Sequence, residues 1–188
     1  EGYLFPDTYT ISPTMNAEDV VATMLDLFDQ KVTPEMRSRA DAMGLTMHQV
    51  VTIASIVERE TADAGERDEI AATYLNRLES EVTNFSLGAD PTVQYVLGTP
   101  EDWWPVIEPD VPNSEAATSP YNTYQNQGLP PGPIANPGLA SINAVLEPAE
   151  VDYLFFVAKD DGTGMHAFAS SFAEHNENVE IYQNSNAG

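Results

Sequence analysis

The chain contains no cysteine. That excludes disulfide bracing, a thiol nucleophile and any cysteine-ligated zinc site. It is also poor in positive charge, with 7 Lys and Arg against 30 Asp and Glu and a formal net charge of −23. A surface of that sign argues against nucleic acid as a partner and against docking on anionic lipid. No run approaches 18 consecutive apolar residues, so no segment reads as a membrane-spanning helix. The three histidines, His48, His166 and His175, are scattered. With no H-E-x-x-H spacing and no acidic cage, the sequence points to no metal and no cofactor. His166 on a strand and His175 on a helix read as packing or surface residues. There is no G-x-S-x-G turn, no serine with an evident histidine partner, no P-loop, and no G-x-G-x-x-G after a strand. The chemistry left to this sequence is that of carboxylates.

With 188 residues, 42% of them hydrophobic, the chain is long enough for one good core and reads as a single domain, 1–188. It opens at Glu1 rather than Met, without a signal peptide, and so reads as a mature or trimmed fragment. Its central stretch is Thr46–Thr61, T-M-H-Q-V-V-T-I-A-S-I-V-E-R-E-T. Thr46 and Gln49 form the spacing of a capping box. No charge interrupts Val50 to Val57, as in a helix buried around most of its girth. Glu58, Arg59 and Glu60 follow at once. Ile53, Ile56 and Glu60 stand at i, i+3 and i+7, so Glu60 continues the stripe that faces the core. A carboxylate there is desolvated and sits at the negative end of the helix dipole, and both effects raise its pKa. Such an acid suits proton donation near neutral pH. The plainer reading is that Glu60 turns to solvent as the helix surfaces, or is neutralised by Arg59 or Arg67.

Along the chain, Glu1 to Tyr9 reads as a short strand or extended segment. Asn16, with Asp19 three residues on, predicts a helix whose apolar face is Val20, Val21, Met24, Leu25 and Phe28. Thr33-Pro34 opens a second helix, Glu35 to Met43, closed by Gly44. The Thr46 helix follows, then a break from Thr61 to Gly65. The next helix runs from about Glu66 to Glu81. Asp90-Pro91 predicts a cap and first turn for a further one, with Val93, Val96 and Leu97 on its apolar side. Asn136-Pro137 does the same for a helix ending at Leu146. Tyr153 to Ala158 reads as a fully buried strand, and Asp160 to Gly164 as a hairpin turn. His166 to Phe168 is then the returning strand. Ser171 caps a last helix to about Gln183, with Phe172, Val179 and Tyr182 inward. The fold class is α+β, mostly helical with a small antiparallel sheet.

Between Gly98 and Pro137 the composition shifts to proline, glycine, asparagine and aromatics, including Trp103, Trp104, Tyr121 and Tyr124. Forty residues without a period are unusual in a compact domain. Two readings stand for this segment. In one, rings stack on sugar faces while amides read hydroxyls and acetamides. In the other, a stiff proline-rich wrap packs its aromatics onto the core. Carboxylate chemistry beside such a loop fits glycoside cleavage.

Five blocks occur in order: Ala54–Thr61 (A-S-I-V-E-R-E-T), Leu75–Leu78 (L-N-R-L), Asp90–Val93 (D-P-T-V), Ser119–Tyr124 (S-P-Y-N-T-Y) and Gly128–Gly138 (G-L-P-P-G-P-I-A-N-P-G). With the opening E-G-Y-L-F-P-D-T-Y, the Tyr153–Ala158 strand, His166–Phe168 and Ala173–Asn176, they make the chain resemble the YceG-like family of bacterial endolytic murein transglycosylases along nearly its whole length. The resemblance implies a lysozyme-like α+β catalytic domain that cleaves the MurNAc–GlcNAc bond of peptidoglycan and leaves 1,6-anhydro-MurNAc ends. It implies a place on the extracytoplasmic face of the bacterial cytoplasmic membrane. Family members are usually anchored by an N-terminal helix followed by a small LysM-like domain, and neither is in this sequence. Its partners would be peptidoglycan glycan strands and cell-wall synthases, with this domain a monomer.

The second acid of the family's E-x-E-T block maps onto Glu60, the catalytic residue. Tyr121, Asn122 and Tyr124 would position sugar rings and acetamide, with Ser119 and Thr123 lining the cleft. Thr61, Asn76 and Asp90 fall to scaffold, Asp90 as a helix cap. Glu58 is a supporting acid paired with Arg77, or an exposed helix acid. The family commonly has Leu-Gln-Ser/Thr-Asp where this chain has Leu87-Gly88-Ala89-Asp90, so a polar side chain that could reach the cleft is missing. Strong acidity also opposes an anionic substrate, so the acids are expected away from the cleft. The rival to an enzyme is a non-catalytic glycan-binding or scaffold module, and a true muramidase would differ only in product.

Overall fold

The helix built around Val50–Val57 is the axis of the molecule. A computed structural model describes residues 1–61, 64–108, 110–114 and 117–183. Part of the predicted break after Thr61 (62 and 63) and residues 109, 115 and 116 of the long loop lie outside them. Among the described residues there are seven α-helices: α1 (Ala17–Lys31), α2 (Pro34–Ala42), α3 (Met47–Glu60), α4 (Arg67–Glu79), α5 (Asp90–Leu97), α6 (Leu139–Leu146) and α7 (Phe172–Tyr182). Two strands, β1 (Phe155–Ala158) and β2 (His166–Ala169), pair antiparallel, with Phe156 opposite Phe168 and Val157 opposite Ala167. The class is α+β, as the sequence implies.

Thr46 and Gln49 exchange both bonds of a capping box, and every residue from Val50 to Val57 is buried. α3 is therefore held by packing on four sides, against α2, α4, α5 and α6. Its small polar residues are satisfied without leaving the core. The Ser55 hydroxyl donates to Thr52 O at 2.7 Å and accepts from the Ile134 N–H at 3.0 Å, which fastens the proline-rich segment to the helix. One turn later, Glu58 Oε2 accepts from the Gly138 N–H at 3.1 Å and from the Ser141 hydroxyl at 2.6 Å. The carboxylate thus serves the unpaired N–H groups at the start of α6 from a neighbouring helix.

Several local expectations are corrected. Asn136 does not cap α6, because its Oδ1 accepts from the Leu4 N–H; Gly138 is the cap residue. Asp90 is the first residue of α5 rather than its cap, which is Ala89. Residues 1–9 form no strand, which leaves the other alternative, a segment without regular structure of its own. β1 starts at Phe155 and is partly exposed, since one side of the two-stranded sheet has only α7 over it. On α1 only Phe28 is buried, while Val21 and Leu25 are each 43% exposed. α7 buries none of its side chains, and Phe172 is 61% exposed. Among the described residues, α7 leans only on the two strands and α1 packs closely on no other helix or strand, so apolar spacing alone overstates their burial.

The long loop divides between the two readings. Trp104 and Tyr121 pack against the core, and Asn122 is fully enclosed. Trp103 stands 65% exposed and Tyr124 41%. No single helix among the described residues is long and apolar enough to cross a membrane.

Candidate active site

Because side chains advance about 100° per residue on a helix, the stripe of Ile53 and Ile56 delivers Glu60 to the core side at the last turn of α3. There the core opens into a cavity of about 350 Å³. α4 contributes Tyr74 and Arg77 to its walls, and the turn into α5 contributes Gly88 and Asp90. Tyr124 enters from the long loop, Phe155 and Phe156 from β1, and Phe172 and His175 from α7. Helices α3, α4, α5 and α7, strand β1 and the long loop thus meet at this cavity.

The Tyr74 hydroxyl donates a short hydrogen bond to Glu60 Oε1. Across the cavity, the Tyr124 hydroxyl donates to Asp90 Oδ1 at 2.7 Å. The Arg77 guanidinium is held by backbone carbonyls, with Nε donating to Ser86 O at 3.1 Å and Nη1 to Leu154 O at 3.3 Å. It also lies over the Phe155 ring at 5.8 Å. Gly88 makes that placement possible. Its φ is +56°, and a Cβ there would stand 2.8 Å from Arg77 Nη2. The absent side chain at this turn is therefore replaced in space by arginine.

Burial among these walls pushes the Glu60 carboxyl up to about 7. The Tyr74 hydroxyl opposes that rise, the nearby Asp90 charge adds to it, and Arg77 reduces it. Burial, and then the adjoining Glu60, raise Tyr74 well above the ordinary phenol range, so it stays a donor. Tyr124 is raised by burial and by Asp90. His175 is lowered by burial, then by Arg77, which favours the neutral ring. A carboxyl that exchanges its proton near pH 7, inside an aromatic-walled cavity, is equipped for general acid and general base work in turn.

The other predicted residues are distributed differently. Asn122 donates to Pro112 O and Ala117 O at 2.7 and 3.0 Å and accepts from the Tyr124 N–H at 2.9 Å. Thr123 Oγ1 accepts from the Ala89 N–H at 2.9 Å and meets the Thr92 hydroxyl at 2.9 Å. Ser119 Oγ accepts from the Tyr121 N–H, and Tyr121 leans on Tyr95 with ring centroids 5.0 Å apart. None of these four lines the cavity; they brace the loop that carries Tyr124. Asn76 donates to Val151 O and Tyr153 O, tying α4 to the approach to β1. Thr61 is buried just beyond α3. Glu58 is turned toward α6, not toward Arg77. His166 bonds a buried Glu66, Nδ1 to Oε2 at 3.0 Å.

Tyr74, Arg77 and His175 were not assigned to the site from sequence, and neither were Phe155 and Phe172. The available signal was the i, i+3 spacing of Tyr74 and Arg77, which sets both on one face of α4. Among the described residues, Glu60 and Asp90 are the acids that line the cavity, beside the Arg77 cation. Among the described residues no three His, Asp or Glu side chains cluster to hold a metal.

The α+β domain thus sets its helices and hairpin around the Glu60 cavity. The YceG-like family model matches residues 1–181, and the chain belongs to that family. It is 38% identical over 183 residues to the endolytic murein transglycosylase of Bacillus subtilis (strain 168), covering 97% of this chain and 48% of that protein. Against the endolytic murein transglycosylase of Streptococcus pneumoniae serotype 2 (strain D39 / NCTC 7466) it is 35% identical over 185 residues, 98% of this chain and 32% of the relative. The fold superposes on the crystal structure of a yceG-like protein from Listeria monocytogenes with a TM-score of 0.81 and 36% identity. That match covers 94% of this chain and 54% of the other. The chain thus spans half or less of the curated relatives' lengths.

Proposed function

We propose that this domain is a lytic transglycosylase, cleaving the β-1,4 bond between MurNAc and GlcNAc within peptidoglycan strands. The observation that carries the reading is Glu60, a carboxyl with a pKa of about 7 in a cavity walled by tyrosine and phenylalanine. Membership of the YceG-like family and the names of its relatives support the substrate class.

In this mechanism protonated Glu60 gives its proton to the glycosidic oxygen as the C1–O bond breaks. The carbonyl oxygen of the substrate's own 2-acetamido group bonds to C1 and meets the developing positive charge, so no enzyme nucleophile is needed. Glu60, now a carboxylate, takes the proton from the C6 hydroxyl. O6 then attacks C1, the acetamide is released, and the 1,6-anhydro ring closes. The Glu60 proton is restored in the same step. Tyr74 holds Oε1, which leaves Oε2 to the reacting oxygens. Tyr124 offers a ring to the sugar with its hydroxyl anchored on Asp90. Ser119, Tyr121, Asn122 and Thr123 act behind it by shaping the loop. The work would be done on the extracytoplasmic side of the membrane, where glycan strands are found, in trimming or terminating nascent strands.

The test is incubation with uncrosslinked glycan or sacculi at high enzyme concentration, followed by mass spectrometry. Anhydro-muropeptides from the wild type and none from Glu60→Gln are expected. Reducing-end MurNAc would make the domain a muramidase instead. Absence of any product, with glycan binding intact in both proteins, would leave a binding module.

A further inference from the structure

Arg59 follows Glu58 and precedes Glu60 on the last turn of α3, so these side chains leave the helix in different directions. Glu60 enters the cavity described above. Glu58 and Arg59 enter a second one, of about 480 Å³, with Trp103, Trp104, Tyr95 and Asn136 among its other walls. The two openings flank the end of one helix.

This second groove is built, not incidental. The Arg59 guanidinium lies 3.9 Å from the centre of the Trp104 ring, covering one of its faces and fixing its plane. The turn bearing both tryptophans is closed by Thr99 N–H to Asp102 O at 2.8 Å and Asp102 N–H to Thr99 O at 3.1 Å. Gln94 on α5 donates to Pro105 O at 3.0 Å, just past the pair. Gly98 lets Trp103's backbone close in, since a Cβ there would meet Trp103 O at 2.6 Å. The Trp103 ring is left 65% exposed on this fastened segment, so it is presented to solvent.

We propose that this groove is a second glycan-binding site, taking neutral aminosugar units through the rings of Trp103 and Trp104. It goes beyond the assignment of Glu60 but rests on the reading that the ligand is an aminosugar glycan. The chemistry favours sugars over charged peptides. Indole faces receive the C–H faces of pyranose rings. The Tyr95 hydroxyl, the Asn136 Nδ2 and the Glu58 carboxylate, beyond the bonds of its Oε2 to Gly138 and Ser141, offer partners for hydroxyls and acetamides. The cation on its walls, Arg59, is engaged on the Trp104 ring and is set against Glu1, Glu58 and −23 overall, a balance that disfavours acidic stem peptides. A strand held here as well as at Glu60 is gripped on both sides of the helix end, so the site favours long glycans over short ones.

The chain has two tryptophans, and both line this groove, so intrinsic fluorescence reports on it directly. Glu60→Gln protein is titrated with chito-oligosaccharides of four to six GlcNAc units, which carry neither lactyl groups nor peptides. A saturable shift in emission is expected, with affinity at least tenfold weaker in Glu60→Gln/Trp103→Ala. Trp103 is exposed, so that change leaves the circular dichroism and melting temperature in place, and Trp104 remains as the reporter. In an otherwise wild-type chain, Trp103→Ala should reduce turnover of long strands more than of short ones. An unchanged affinity in the Trp103→Ala variant overturns the proposal, as does a response to free stem peptide and not to sugar. Formation of anhydro product with no fluorescence response overturns the second site and leaves the Glu60 reading standing. A response without any product does the reverse.

Discussion

The Tyr74 hydroxyl on α4 donates to Glu60 Oε1 on α3, joining two helices through the acid proposed to do the chemistry. The bond favours the carboxylate and works against burial, which favours the neutral acid. Tyr74→Phe removes the opposing influence and keeps the ring. Glu60 should then titrate above its value of about 7. A hydrogen bond to a charged group is worth about 1.5–3 kcal/mol, so the alkaline limb of the pH–activity profile should move up by about one unit or more. A profile that falls in amplitude without moving would show that Tyr74 only packs.

Asp90 acts in the opposite sense. Its negative charge raises Glu60, by less than Tyr74 lowers it. Asp90→Asn keeps an oxygen to accept the Tyr124 hydroxyl, now 2.7 Å away, while removing the charge. The alkaline limb should therefore move down, by a smaller step than Tyr74→Phe moves it up. Two substitutions on opposite walls that shift one titration in opposite directions would identify its owner as Glu60. Shifts of the same sign would reject that assignment.

Stability should carry the same signature. Glu60 has an ordinary pKa of 4.5 when unfolded and about 7 when folded. Below pH 4.5 both states hold the proton and the group has no effect. From 4.5 to 7 the unfolded chain releases it while the folded one retains it, so rising pH favours unfolding. Above 7 both are ionised and the loss is complete. Glu60→Gln can still accept from Tyr74 and has no such loss. It should match the wild type at pH 4 and exceed it at pH 8 by at most about 3 kcal/mol, with a reduced figure because the residue partly faces the cavity. Chemical denaturation at the two pH values measures the difference.

How far the site could be read from sequence follows from the range of the forces involved. Glu60 was legible because helical periodicity turns spacing into direction, and the uncharged run before it marks the buried side. The capping boxes at Asn16 and Thr46 were legible because both partners lie within one turn. Asp90 and Asn136 were misread as caps for the converse reason. Each has a side chain claimed from far away, by Tyr124 and by the Leu4 N–H, and the helix starts adjust around those bonds. Arg77 was equally out of reach. Its position depends on carbonyls at Ser86 and Leu154 and on the absent Cβ of Gly88, none of which local spacing encodes.

Asn122 tests whether the loop's amides serve the ligand or the fold. It is fully buried, and its side chain satisfies Pro112 O, Ala117 O and the Tyr124 N–H. Asn122→Ala leaves Ala117 O and the Tyr124 N–H without the partner they have here, each worth about 1–3 kcal/mol when orphaned, while Pro112 O keeps the Gln125 amide at 3.0 Å. Allowing for relaxation and water entry, the cost should be about 2–4 kcal/mol, or roughly 5–15 °C in melting temperature for a chain of this size. Asn122→Asp keeps the acceptor for Tyr124 and loses both donated bonds, so it should be destabilised as well. If Asn122 instead met the acetamide of a bound sugar, either change would weaken glycan binding and leave the melting temperature within a degree or two of the wild type. Thermal melts without glycan therefore separate the two roles, and a large drop there assigns Asn122 to holding Tyr124 in place.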